Sequence, residues 1–100
     1  MSINDYLNRN ISLLESDIIS QLDNEFNSHD FIMKFAKQFE KDYILFLYAY
    51  KGNEAFRNVH SQIARFLSEN SALLGICKTH KVKSQNVFGE IDEIQAWKKK

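Results

Sequence analysis

The sequence predicts a mainly α-helical small domain with three helices, a short β-hairpin and a C-terminal helix. Three observations carry that prediction. Apolar residues recur in steps of three and four over most of the chain, the spacing of a helical stripe. There are no prolines and only three glycines, so few positions interrupt a long helix. One long stretch, Phe31–Tyr50, is amphipathic at its start and apolar or aromatic at every position from Tyr43 onward. With 100 residues, 44% hydrophobic and 26% charged, the chain has the size and balance of one globular domain over residues 1–100. A core this large needs neither a disulfide nor a metal to hold it.

The first helix is expected over about Ile3–Leu22, with Ile3, Leu7, Ile11, Leu14, Ile18 and Leu22 on its stripe. Asn4 or Asp5 can accept from the free amides of its first turn. Leu13 and Ile19 lie off the stripe, as a wider core contact or a self-association face. Asp23–Asp30 is polar and rich in cap formers, so it reads as a break. Asn27 or Ser28 can cap the next helix, with Asp30 in the first turn where a negative charge suits the helix dipole.

Phe31–Tyr50 reads as the central helix. Phe31, Ile32, Phe35, Ala36, Phe39, Tyr43, Phe46, Leu47 and Tyr50 share one side, and Lys34, Lys37, Gln38, Glu40 and Lys41 fill the other side of its first half. A helix that turns hydrophobic all round is expected to enter the core. A buried strand over Tyr43–Tyr50 is the rival, but the unbroken stripe favours helix. Tyr48 and Ile44 lie opposite the stripe, either covered by another helix or open to a partner. Gly52 suits the left-handed end of a helix and Asn53 can cap its successor. The third helix, about Glu54–Glu69, buries Phe56, Val59, Ile63, Phe66 and Leu67, with Asn70-Ser71 ending it. Strands over Leu73–Lys78 and Val82–Phe88, around a turn at Thr79-His80-Lys81, would make a basic hairpin within residues 74–88. Glu90–Lys99 reads as a closing helix. Ile91, Ile94 and Trp97 lie on one side, acids come first and lysines last, and residues 98–100 fray as a basic tail. Alternatively, Ser84 caps one longer helix running through Gly89.

Charge is unevenly shared. Residues 1–50 hold four Lys or Arg against eight Asp or Glu, residues 51–100 hold nine against five, and the total is zero. The halves either attract each other or leave the basic half for an anionic partner. The order of elements is winged-helix-like. In a winged helix–turn–helix the second helix of a tight pair reads the major groove and the hairpin touches phosphates. Arg57 and Arg65 suit guanine edges or phosphates, Asn58 and Gln62 suit adenine, and Ser61 allows close approach. Lys78, His80, Lys81 and Lys83 suit the phosphate-gripping wing. Zero net charge, the long central helix and Glu69 argue against DNA, and the same side chains also suit a merely solvated face.

Chemistry has thinner support. Cys77 and His80 have the two-residue gap found in half of a zinc site, but only one such pair is present and His60 or His29 would have to complete it, so no metal is expected. His60 borders the apolar stripe and is expected to be half-buried and hydrogen-bonded. Cys77 has no activating partner at a motif spacing, Glu40 and Asp42 point to different sides of a helix, and no phosphate loop exists. Neither catalysis nor a cofactor is expected. The aromatic residues are expected to be core, and Trp97 to pin the last element. The N-terminus lacks the features of a signal peptide, no apolar run spans a bilayer, and a single cysteine suits a reducing compartment, so a cytoplasmic place is expected. The expected function is non-catalytic contact with DNA through 54–69 and the hairpin. The alternative is a protein partner or a homodimer through helix 3–22.

Overall fold

A computed structural model describes residues 2–100. Six helices and a three-stranded antiparallel sheet follow one another as α1 (Ile3–Arg9), α2 (Ile11–Asp17), a 3-10 turn (Ile19–Gln21), β1 (Glu25–Asn27), α3 (Ser28–Gln38), α4 (Glu40–Ala49), α5 (Ala55–Glu69), α6 (Ser71–Leu74), β2 (Ile76–Gln85) and β3 (Ile91–Lys99). The mainly α prediction is therefore corrected to a small, mostly helical α/β domain with strands in the order β1-β3-β2.

The first predicted helix is broken. Ser2 rather than Asn4 or Asp5 caps α1, its hydroxyl accepting from the Asp5 amide. Asn10 then ends α1 by donating from its side chain to the Tyr6 carbonyl at 2.7 Å, which satisfies a group the helix end leaves free. The apolar stripe survives the break. Ile3, Leu7, Leu14 and Ile18 are all buried, Ile19 joins them, and Leu13 stays exposed. The polar break contains β1, where Phe26 is buried and stands opposite Trp97. Asn27 then caps α3 in a reciprocal capping box with Asp30.

The central helix is two helices. Its break at Phe39 contains neither proline nor glycine, so its cause is tertiary. In one straight helix Phe35 and Phe46 would stand about 16 Å apart along the axis. The turn at Phe39 lets their rings stack at 6.0 Å instead, with Phe35 also stacked on Phe39 at 5.3 Å. The expectation that the Tyr43–Tyr50 part enters the core is overturned. Tyr43, Phe46, Leu47 and Tyr50 pack against the core and are partly buried, but no residue of α4 is fully buried. After α4, Gly52 takes a left-handed φ of 81° and turns the chain into α5. There Val59, Ile63, Phe66 and Leu67 are buried, whereas Phe56 is 38% exposed.

The C-terminal third departs most from prediction. Leu73 and Leu74 belong to α6, β2 runs unbroken through Thr79-His80-Lys81, and the expected closing helix is β3. The Thr79–Lys81 stretch is absorbed as an irregularity in the ladder between Lys78 and Lys81. The true turn lies at Asn86–Glu90. The Asn86 side-chain oxygen accepts from the amides of Phe88 and Glu90, and Gly89 takes a φ of 78°. That chemistry ends β2 where a helix capped by Ser84 would have had to continue. Lys98 and Lys99, read as tail, sit in the ladder, and the Lys99 ammonium donates to the Leu22 carbonyl. The core lies between the helices and the inner face of the sheet. There the Trp97 indole is fully buried and donates to Ser28 Oγ at 3.1 Å.

Candidate functional site

The feature that gathers the functional side chains is a cleft of about 860 Å³ between the outward face of α5 and the β2–β3 hairpin. Its floor is made by Ser28, Ile32 and Trp97, which fix the strand end and the start of α3 to each other. The helix wall carries Arg57, His60, Ser61, Ala64, Arg65 and Ser68, a stripe in steps of three and four. The same periodicity that buries Val59, Ile63, Phe66 and Leu67 forces this opposite stripe outward. The sheet wall carries Lys78 and Lys81 near the root of the hairpin, where they stand opposite Trp97 and Gln95, and Phe88 at its turn.

The cleft has two distinct ends. Phe56 in the first turn of α5 meets Phe88 edge to face, with ring centroids 5.8 Å apart, and closes the end by the hairpin turn. Arg65 lies nine residues further along α5, about 14 Å away. Lys78, Lys81 and Ser68 line the same cleft.

The acidic lining groups are Glu54, Glu90, Asp92 and Glu93, and two of them, Glu54 and Asp92, have side-chain partners. The Glu54 carboxylate lies 3.8 Å from Arg57. The Asp92 carboxylate accepts from the Asn86 amide at 3.0 Å. Glu93 stands opposite Lys83 in the ladder. Arg57–Glu54 is the single ion pair among the described residues, so Arg65, Lys78 and Lys81 have no carboxylate within ion-pair distance.

Two histidines stand in the walls. His29 Nδ1 and the Ser84 hydroxyl are 2.9 Å apart, which ties the start of α3 to β2. His60 Nε2 lies 2.7 Å from the Tyr43 hydroxyl, and the two rings stack at 5.9 Å. Burial holds the His60 pKa below its ordinary value, with a smaller push from the nearby His29. Burial raises the Tyr43 pKa, so the phenol keeps its proton and can donate to the neutral ring.

Of the residues singled out from the sequence, Arg57, Ser61, Arg65, Lys78 and Lys81 are brought to the cleft. Asn58 is not, because its side chain donates to the Asn53 carbonyl and braces the loop before α5. Gln62 is turned away too and donates to the Tyr50 hydroxyl at 2.6 Å. His80 and Lys83 are exposed strand residues outside the cleft lining. Phe56 and Phe88 were not anticipated at a site. The sequence signal for Phe88 was its place in Asn86-Val87-Phe88-Gly89, where a turn puts an aromatic side chain in solvent. Cys77 is exposed, and no cluster of three or more His, Cys, Asp or Glu side chains suited to a metal exists among the described residues. Among the described residues no helix is long and apolar enough to cross a membrane.

Compared with protein-family models, curated proteins and solved structures, the chain matches none of them.

Proposed function

We propose that this is a non-catalytic binding domain that contacts nucleic acid through the cleft between α5 and the hairpin. The observation that carries the reading is that Arg65, Lys78 and Lys81 line one cleft together with Ser61 and Ser68, and that none of the three cations has a carboxylate within ion-pair distance. Clustered cations with nearby hydroxyl donors are what phosphate oxygens recruit. Arg57 extends the basic wall along α5, although Glu54 offsets part of its charge.

The test is fluorescence anisotropy of a labelled DNA duplex titrated with protein at several salt concentrations. Three to four phosphate contacts give a slope of log affinity against log salt of about −3. Arg65→Glu removes binding while circular dichroism stays unchanged, because Arg65 is exposed. No binding at low salt overturns the reading.

A second reading is favoured by the other end of the cleft. Phe88 is 65% exposed and lines the cleft with Glu90, and Ile91, 61% exposed, follows Glu90 in the chain outside the lining. An apolar tip with acidic neighbours suits a basic segment of a partner protein better than a phosphate backbone. On that reading Phe88→Ala, not Arg65→Glu, abolishes capture of the partner.

A further inference from the structure

We infer that the nucleic acid this cleft takes is a single strand and not a duplex, with unpaired bases stacked at the Phe56–Phe88 end and the backbone held by Arg65, Lys78 and Lys81; the inference rests on the nucleic-acid reading of the cleft. Two kinds of side chain line the same cleft. Arg65, Lys78 and Lys81 offer cations with no carboxylate within ion-pair distance. Phe88 and Phe56 offer aromatic rings that are 65% and 38% exposed. Phosphates need only the first kind. Open aromatic rings beside free cations are what a single strand recruits, because a base can lay its face on a ring only when it has left its own stack.

The arrangement keeps the two kinds apart. Phe56 makes T-shaped contacts with Phe88 and His60, at 5.8 and 5.9 Å, so the rings are set before any ligand arrives. Glu54 and Glu90 line the cleft two residues from Phe56 and Phe88. Carboxylates there repel phosphate but accept from base amino groups. On both walls the cations stand back from this end. Arg65 is about 14 Å from Phe56 along α5. Lys81 precedes the turn residue Asn86 by five positions, about 16 Å along β2. At about 3.4 Å per stacked nucleotide those spans take about four nucleotides, more than a free mononucleotide can reach. A duplex fits the shape less well. A recognition helix enters a major groove about 12 Å wide and fills it alone. The polar stripe of α5 instead shares its cleft with the hairpin, and the Phe56–Phe88 contact joins the two walls across the end. A duplex therefore meets the cations through its backbone only, with its bases still paired.

Fluorescence anisotropy on the full chain tests the inference with a labelled DNA single strand of mixed sequence, about 12 nucleotides long, and with the same strand annealed to its complement. At low salt the single strand is expected to bind at least about tenfold tighter than the duplex. Phe88→Ala brings that ratio close to one, and Phe88→Tyr, which keeps the ring, preserves it. Phe88 is exposed in a turn, so both variants are expected to fold, which circular dichroism checks. Lys81→Ala flattens the slope of log affinity against log salt for the single strand by about 0.7, a change that Phe88→Ala does not produce. Equal binding of the two forms, or a tighter duplex, overturns the inference and leaves the nucleic-acid reading standing. A single-strand preference that survives Phe88→Ala overturns the inference as well. Binding of neither form overturns the reading itself, and the inference with it.

Discussion

Helices α3 and α4 are neighbours in sequence, nearly equal in length and joined by one residue, Phe39, yet they are used in opposite ways. α3 buries Phe31, Ile32 and Phe35 and turns Met33, Lys37 and Gln38 outward. α4 is the more hydrophobic of the two, yet it only leans Tyr43, Phe46, Leu47 and Tyr50 on the core and leaves Ile44, Leu45 and Tyr48 in solvent. What separates them is how many neighbours surround each one. α3 is enclosed by β1, β3, α4 and α5, whereas α4 meets chiefly α3 and α5. Apolar content measures what a helix can offer to a core, and the number of elements packed around it decides how much the core takes.

The largest effect expected from that contrast is Phe35→Ala. The side chain is fully buried and contacts Phe39, Tyr43 and Phe46 through its ring. Truncation leaves a cavity and costs about 3–5 kcal/mol in chemical denaturation. Phe46→Ala, the α4 partner in the same stack, is only half-buried and costs about 1–2 kcal/mol. Equal losses at the two positions would break the comparison.

Tyr6→Phe sharpens it. α4 is tied to α1 through the Tyr6 hydroxyl, which donates to the Asp42 carboxylate at 2.8 Å. Burial and then that carboxylate push the Tyr6 pKa up to about 12. Deleting the hydroxyl costs about 1 kcal/mol, since the pair is only partly buried and Asp42 can turn to water. The Tyr6 ring keeps its edge-to-face contact with Phe46 at 5.3 Å, so the loss reports the hydrogen bond and not the packing.

His60 links α4 to α5 through Tyr43, and here the expected effect depends on pH. Its lowered pKa means that the unfolded chain takes up a proton that the folded chain refuses. The stabilisation is therefore complete above the ordinary histidine value of about 6.5 and declines as pH falls from there toward the lowered folded value. Thermal melts between neutral and mildly acidic pH should fall more steeply for the native chain than for His60→Gln. Parallel curves would show that the ring is as free to protonate when folded as when unfolded.

These anchors also show what the sequence could express. The stripes of Ile3–Ile18, Phe31–Phe35 and Val59–Leu67 were legible because each helix has a single buried face, and periodicity reports a face directly. The breaks at Asn10 and Phe39 were not, because side-chain capping and the Phe35–Phe46 stack decide them rather than proline or glycine. β3 was read as a helix because Ile91, Ile94 and Trp97 fall in steps of three, and acids precede lysines as a helix dipole favours. The competing signal was Asn86-Val87-Phe88-Gly89, which makes a tight turn and leaves the following residues to pair with β2. Half of the site followed the same logic. Arg57, Ser61 and Arg65 could be placed on the outward face because they lie opposite a buried stripe, and Lys78 and Lys81 could be grouped because the basic run is local. That Asn58 and Gln62 would be bonded away from the cleft was not legible, because their partners, Asn53 and Tyr50, belong to the preceding loop and helix end.

The smallest effect is expected on the outer face of α4. Ile44→Ser removes an apolar side chain that is more than half exposed, on a helix that buries none of its residues fully. In chemical denaturation the change in stability should stay within about 0.5 kcal/mol. A large loss would mean that Ile44 serves the fold itself, and the distinction between an enclosed α3 and an open α4 would then fail at the residue where it is sharpest.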